Sequence, residues 1–433
     1  MDYKKLTVAA ALMGASMIYA QDAEIATWSG FRKGAASFTF DDGAPSHVSD
    51  GAPLFDKYGY KGTFNLVVNW NPNWSGFQSM ADNGHEIASH SNSHGQNMSG
   101  EEASSKNNIK SHINQKYGII TVAYPNCNVP NESAVLQNYI VGRICNGSWQ
   151  QISDDMGKDG PSNWAKVPAN MTGTEGQVKS TNDFTSRMQS VVSKNGWVAF
   201  LTHGFEGKSN GSAMYSPTDL SAIEGALKWA QQNDKDIWVA PMGHVAMYIK
   251  ERKAAQVSAS TSGSTTTVKL THNIKQEGVS DYDYPLTLKV KTSLSKAEVT
   301  QAGAKLESKT EGGYVIFDAV PNAGDIVIAG EGAGPSSSSS EASSSSAAPD
   351  QSSSSGTPQA IAEIQADFHV SVYRSSDNYI VVGGAQGMNI TVFNSLGHQV
   401  RTTRGLGAVQ KVYTGAKGVY VVKVGSKSYK VKL

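Results

Sequence analysis

This chain of 433 residues is poor in charge and has no excess of either sign: Lys+Arg and Asp+Glu number 37 each, and charged residues make up only 17%. No basic field exists to attract a phosphate backbone, so nucleic acid is set aside as a partner. Cysteine is scarce as well. The two present, Cys127 and Cys145, allow a single disulfide, which an oxidising compartment would favour over two buried thiols. No Gly-x-Ser-x-Gly stretch occurs, and with it goes the serine nucleophile elbow. Past the N-terminus no apolar run is long enough to span a bilayer, so no transmembrane segment is expected in the mature chain.

What is abundant is glycine, 43 residues, together with uncharged polar side chains, a balance that suits an extracellular protein handling neutral polymers. The N-terminus agrees. Lys4-Lys5 precedes an apolar stretch over residues 6–18, and Tyr19-Ala20 then gives way to Gln21-Asp22. A short positive region, a short apolar core and a small residue at its end describe a secretory signal peptide, here 1–20, with Ala23 as the alternative cleavage point.

From residue 31 to about 255, apolar strand-like runs alternate with helical patterns. Strands are expected at 35–40, 62–68, 85–89, 119–124, 139–143, 197–201 and 237–240, with helices at 47–58, 100–117, 182–194 and 216–233. Repeated βα units imply a parallel sheet closed or nearly closed into a barrel, with reactive groups at the C-terminal strand ends. Between 268 and 328, short runs rich in Val, Ile, Thr and Tyr alternate with turns and read as a small β-sandwich. Residues 335–358 are almost pure Ser with Ala, Pro and Asp, a composition that cannot bury enough apolar surface to order itself and reads as a flexible linker. A second all-β unit follows to residue 433. The expected division is therefore signal peptide 1–20, barrel 21–257, accessory sandwich 262–331, linker 332–358 and terminal sandwich 359–433.

Two stretches carry the chemistry. Thr39-Phe40-Asp41-Asp42-Gly43 ends a buried strand with adjacent carboxylates, and His90-Ser91-Asn92-Ser93-His94 sets two imidazoles four positions apart, the spacing of one face of a helical turn. One carboxylate and two neutral imidazoles make an N/O donor set suited to a divalent ion with an open coordination position. The second carboxylate is then free to act as a base on an activated water. On this division Asp42, His90 and His94 hold the ion and Asp41 is the base. The loop reading of Asp-Asp-Gly and the chance reading of a lone His pair both weaken once the two stretches occur together.

These stretches resemble the first and second motifs, T-F-D-D-G and H-[ST]-x-x-H, of the polysaccharide deacetylase family, carbohydrate esterases of family 4 with the NodB homology domain. The run Gly84-His85-Glu86-Ile87-Ala88-Ser89 leads into the second motif as it does in relatives, and the likeness covers roughly residues 30 to 255. It implies an α/β fold, a distorted (β/α) barrel of NodB type followed here by two small all-β sandwich modules. It also implies a metal-dependent hydrolase acting on an acetylated polysaccharide, with Zn2+ as the expected ion and Co2+, Mn2+ or Ni2+ as alternatives. His203 in Leu201-Thr202-His203 resembles the fifth motif and is the expected proton donor, with Leu201 against the acetyl methyl. The third motif, usually R-x-P-Y, reads Ala123-Tyr124-Pro125-Asn126 and lacks its arginine. Tyr124, Pro125 and Asn126 are the expected substrate and oxyanion residues, and Arg143 is a stand-in for the missing cation. The fourth motif has only Asp154, Asp155 and Trp164 as candidates.

Within this class, acetylxylan O-deacetylation is expected, with N-deacetylation of chitin or peptidoglycan as the alternative and a metal-containing but catalytically impaired carbohydrate-binding protein as the rival. Residues 359–433, ending in Gly418-Val419-Tyr420-Val421-Val422-Lys423-Val424, resemble the C-terminal sorting modules of type IX secretion cargo, so secretion machinery is an expected partner. The remaining histidines, His47, His85, His112, His244, His272, His369 and His398, show no ligand spacing. Trp70, Trp74, Trp149 and Trp164 are either sugar platforms or core.

Overall fold

The strand over Gly34–Phe40 fills its two faces by the period of two inherent in an extended chain. A computed structural model describes residues 23–129, 131–145 and 156–330, and then 371–374, 379–383, 385, 388–395, 399–404, 409–414, 418–424 and 427–432. The expected signal peptide and linker, Trp149, Asp154 and Asp155 lie outside the described residues. In chain order the elements are β1 (Ala23–Ile25), β2 (Gly34–Phe40), α1 (Ala52–Lys57), β3 (Thr63–Leu66), α2 (Trp74–Asp82), β4 (Glu86–Ser89), α3 (Glu102–His112), β5 (Thr121–Ala123), α4 (Glu132–Asn138) and β6 (Val141–Arg143). There follow β7 (Asn170–Met171), α5 (Thr181–Lys194), β8 (Trp197–Thr202), α6 (Leu220–Gln232), β9 (Ile237–Val239) and α7 (Met242–Ala254).

The sheet runs β6-β5-β4-β3-β2-β8-β7, with β9 also on β2 and every pair parallel. Strand β2 gives one whole edge to β8. Its other edge is divided: Gly34–Ala36 pair with β9, and Thr39 and Phe40 pair with β3. Two strands that share one edge must splay, and this distorts the barrel. At the far end, residues 164–167 bond to β6 through Gly142 N–H to Trp164 O and Ile144 N–H to Val167 O (2.8 and 2.9 Å), before the chain joins β8 as β7.

On β2, Ala36, Phe38 and Phe40 point outward to the helices, joined by Phe64 and Phe200. Ala35, Ser37 and Thr39 point inward, where Ser37 Oγ meets Ala240 O and Trp197 Nε1. Helix α5 closes over this outer layer. It starts on a Ser180–Asp183 capping box and ends on left-handed Asn195, and it buries Phe184, Met188 and Val191 on one face. Gly34 makes that approach feasible, because a Cβ there would lie 2.9 Å from the Val191 backbone.

Three helices escape a reading by periodicity. Helix α7 is buried nearly all round and shows no polar stripe, whereas α2 and α4 have only nine and seven residues. The expected helix at 100–117 is shorter, because Ile113 turns extended after His112.

The accessory unit consists of β10 (Gln256–Ser262), β11 (Thr265–Thr271), β12 (Leu286–Lys291), β13 (Ala297–Gln301), β14 (Ala304–Leu306), β15 (Ser308–Glu311), β16 (Tyr314–Ala319) and β17 (Ile326–Gly330). They form two antiparallel sheets, β1-β12-β16-β15 and β10-β11-β17-β13-β14. Strand β1 therefore leaves the barrel's stretch of sequence to pair with β12, and β10 begins at Gln256. One apolar core, from Ala35 and Leu201 through Tyr248 to Leu286 and Ile328, joins sandwich and barrel. The last unit holds β18 (Ser371–Arg374), β19 (Tyr379–Gly383), β20 (Asn389–Asn394), β21 (Gln399–Arg404), β22 (Val409–Tyr413), β23 (Val419–Val424) and β24 (Lys427–Lys432). Its antiparallel sheets β18-β19-β22 and β21-β20-β23-β24 share a core that includes Ile380, Val392 and Val422. Among the described residues no helix is long and apolar enough to cross a membrane.

Two histidines, His85 just before β4 and His244 on α7, set an acid limit. Burial, and then Lys116, pushes His244 down to about 3 from 6.5. Burial pushes His85 down to about 4 against the opposing pull of Asp56. Below pH 6.5 the unfolded chain takes up protons that the native rings refuse, so stability falls as pH drops from 6.5 towards 4. Calorimetry should show Tm falling by more than about 5 °C across that window, with a shallower slope in His244→Phe.

Candidate active site

The inward face of the sheet ends in polar groups at the C-terminal rim. Continuing the alternation of each strand, Asp41 follows β2, Asn65 lies on β3, His90 follows β4, Arg143 ends β6 and His203 lies just past β8. Gly43 (φ 64°) and Asp42 (φ 77°) are both left-handed, so the chain reverses at the strand end and sends the two carboxylates in different directions. Asp41 stays with the inward row. Asp42 turns towards the histidines.

Asp41 is buried, yet both of its oxygens are satisfied. Asn65 Nδ2 donates to Oδ1 at 2.7 Å, and the Arg143 guanidinium is paired with Oδ2. Burial pushes this carboxyl up, but Arg143, the imidazoles of His90 and His203, and Asn65 outweigh it and hold it well below the usual carboxylate range. Arg143 is the direct register partner of Ala123 on the neighbouring strand. The guanidinium missing from the Ala-Tyr-Pro stretch is therefore delivered one strand further along.

Asp42 Oδ1 lies 3.5 Å from Nε2 of both His90 and His94, and it is buried with no hydrogen-bond partner among the described residues. One donor atom from each of the three lies within 4.8 Å of the others. Burial, and then the charge on Asp41, pushes the Asp42 carboxyl up to about 8. His90 Nδ1 meets Ala123 O at 2.8 Å, so the Nδ1–H tautomer donates there and leaves Nε2 bare. Burial also pushes His90 down to about 4, keeping the ring neutral. Burial likewise lowers His94. An orphaned carboxylate oxygen facing two unprotonated ring nitrogens fits a divalent cation.

The stretch 90–94 is not a helical turn. Ser91 (φ 70°) and His94 (φ 53°) are left-handed. The N–H groups of Asn92 and Ser93 donate to Glu101 Oε2, and that of His94 donates to Ser91 Oγ, so side chains supply the acceptors a helix would have provided. The four-residue spacing still brings the rings together, 4.9 Å apart and edge to face.

The other expected site residues divide. His203 reaches the site, close enough for its charge to act on Asp41, and burial pushes its ring down to about 4. Its Nδ1 is buried with no hydrogen-bond partner among the described residues. Leu201 faces the barrel interior two positions earlier. Asn126 is exposed and left-handed, and its Nδ2 donates to Gly95 O at 3.0 Å, next to His94. Pro125 is buried.

Tyr124 and Trp164 stand away from the site, contrary to expectation. The Tyr124 ring is buried in the outer core and its OH donates to Ala165 O, because strand alternation turns 124 outward where 123 turns inward. Trp164 packs on Trp197 and under Lys250, at the opposite end of β8 from His203. Cys127 and Cys145 form a disulfide with Cα atoms 5.4 Å apart, tying the Pro125–Cys127 turn to the stretch after Arg143. Asn65 and His47 were missed. His47 Nε2 donates to His203 O at 2.8 Å. Asn65 had one signal, its two-residue offset from Thr63 on the inward row.

Arg143→Met leaves Asp41 as a buried charge without its cation, and urea unfolding should show a loss of about 3–5 kcal/mol. Adding Asp41→Asn in the same chain should recover most of it.

Residues 29–129 match the polysaccharide deacetylase family. The chain is also similar to gellan lyase of a Bacillus species, 25% identical over 344 residues that cover 72% of this chain and 13% of that protein. It thus spans about an eighth of that relative's length. Among solved structures, it is similar to the Xyl-CE4 domain of a multidomain xylanase from the hindgut metagenome of Trinervitermes trinervoides, with 19% identity, 49% of this chain and 88% of that chain covered, and a TM-score of 0.31. It is also similar to a family 4 acetyl xylan esterase of Clostridium thermocellum in complex with a cobalt ion, with 16% identity, 49% and 89% covered, and a TM-score of 0.30.

Proposed function

We propose that this chain, whose residues 29–129 carry the polysaccharide deacetylase family's pattern, removes acetyl groups from a carbohydrate polymer with the help of a divalent ion. The observation that carries the reading is Asp42 Oδ1, buried, unpartnered among the described residues and 3.5 Å from two imidazole Nε2 atoms. Asp42, His90 and His94 would hold the ion. Their N/O donor set favours Zn2+, with Co2+, Mn2+ or Ni2+ as alternatives. When bound, such an ion supplies Lewis acidity that polarises the acetyl carbonyl and lowers the pKa of a water towards about 7.

The protein's own groups do the rest. Asp41 Oδ2 lies 3.9 Å from His90 Nε2, so the base borders the ligand cluster and accepts the proton of the attacking water. Arg143 and Asn65 keep that carboxylate charged and aimed. His203 returns a proton to the departing sugar oxygen, Leu201 faces the acetyl methyl, and the backbone N–H of Asn126 meets the oxyanion. Water and ester give acetate and a free hydroxyl. Acetylated xylan is the favoured substrate, since linker-bearing, secreted modular chains commonly act on plant polymers. The N-acetyl groups of chitin or peptidoglycan are the alternative for the same atoms. Export through a signal peptide at 1–20, with residues 359–433 as a sorting module, belongs to the same proposal.

A second reading, a metal-holding carbohydrate binder with impaired catalysis, is favoured by one observation. His203 Nδ1 has no partner among the described residues and the ring is held neutral, which is poor preparation for an acid.

A screen for released acetate on acetylated xylan, chitin oligomers and peptidoglycan, with metal content measured on the same sample, separates the readings. Asp41→Asn should keep its metal and lose about 10³ in kcat, whereas His90→Ala should lose both. Normal turnover by Asp41→Asn would remove Asp41 as the base. A metal-loaded wild type that releases no acetate from any of the three would put the binder in first place.

A further inference from the structure

Among the described residues before 331, just three large apolar side chains are exposed: Trp70 (36%), Met214 (64%) and Tyr215 (46%). Trp70 and Tyr215 border the candidate site, and Met214 immediately precedes Tyr215 in the chain. The Trp70 ring lies 4.8 Å from that of His94, tilted by 32°, and Tyr215 meets His203 edge to face at 5.3 Å. Strands β3 and β8 flank β2 on its two sides, so the Trp70 turn and the Met214–Tyr215 loop stand on either side of Asp41 and Asp42.

Both side-chain groups are presented by anchored backbone. Before Met214, Ala213 is fully buried, donates to Asn210 O at 3.0 Å and accepts from Gly204 N at 3.1 Å. After Tyr215, Ser216 Oγ donates to Thr172 O at 2.8 Å and accepts from Glu175 N at 3.0 Å. Before Trp70, Val68 and Asn69 donate to Ser91 O and Asn92 O, on the loop that carries the histidine pair. A Trp, a Met and a Tyr held in water by buried neighbours gain nothing from the interior, and exposed apolar groups gathered beside a polar rim mark a ligand surface.

We propose that Trp70 and the Met214–Tyr215 pair are two walls of a sugar-binding cleft, so that a chain of pyranose rings crosses the site from the β3 side to the β8 side. This rests on the deacetylase reading and deepens it. A pyranose presents flat C–H faces and a hydroxyl rim, which suits aromatic walls separated by carboxylates, imidazoles and amides. A lipid tail would need an unbroken apolar strip, and the polar centre breaks it. Walls on both sides also call for a ligand of several linked rings, with the acetylated one in the middle.

The test is binding without turnover. Wild type, Tyr215→Ala, Met214→Ala, Trp70→Ala and Trp70→Phe are run on native gels containing unacetylated xylan or chitin oligomers, with metal content measured for each. Retention of wild type and about tenfold weaker retention of Tyr215→Ala and Trp70→Ala is the expected result, with most of it restored in Trp70→Phe. On acetylated xylan Tyr215→Ala should raise KM by a similar factor and change kcat less. Tyr215 packs on His203, which lies outside the Asp42–His90–His94 donor set, so its variant decides the matter even where Trp70→Ala sheds metal. Retention of Tyr215→Ala equal to wild type, or no retention of wild type, overturns the proposal. Failure of the deacetylase reading itself is seen separately, as absence of metal-dependent acetate release by wild type from a small acetate ester.

Discussion

A carboxylate buried at the mouth of a barrel stays ionised only if a cation and hydrogen-bond donors face it, and Asp41 has both. Arg143 comes from β6 and Asn65 from β3, so the charge of one residue depends on three strands keeping their places. The rest of the site responds to that charge. It helps to push Asp42 up, while burial keeps His90, His94 and His203 neutral. The result is one fixed anion with its cation, beside a cluster of donor atoms suited to a divalent ion.

The barrel supplies this arrangement through strand alternation. Residues 35, 37 and 39 face inward on β2 with Asp41 continuing the row, and the alternation of each neighbouring strand puts Asn65, His90, Arg143 and His203 on the inner rim. The loops then adjust what the strands present. Left-handed Asp42 and Gly43 separate the two carboxylates, and left-handed Ser91 and His94 fold the histidine stretch back on itself. The disulfide and Asn126 connect the turn after β5 to both the Arg143 strand and the His94 loop. These ties hold Arg143 on β6 beside the turn that follows Ala123.

Local chemistry was legible wherever it lay close in sequence. That Asp42, His90 and His94 bring their donor atoms together could be read because each stretch is short and its side chains must emerge near one another. Strands were legible from runs of apolar residues, and α5 from its helical pattern over 182–194. Helix α7 was not, since an element buried on all sides carries no periodic contrast. Tyr124 was assigned to the cleft because it adjoins Pro125, but sequence adjacency cannot reveal a side chain's face without the strand's parity. Trp164 was chosen by residue type alone, and residue type carries no information about which end of a barrel a loop reaches.

The amino-acid sequence by itself determined the donor types, their spacing and the alternation of strands with helices, because these depend on neighbours within a few residues. Tertiary structure alone decided that Arg143 and Asn65 converge on Asp41, that Trp70 packs on His94 and Tyr215 on His203, and that β1 pairs with β12. Each of those contacts joins residues separated by at least 12 positions, and only the register and curl of the sheet bring them together.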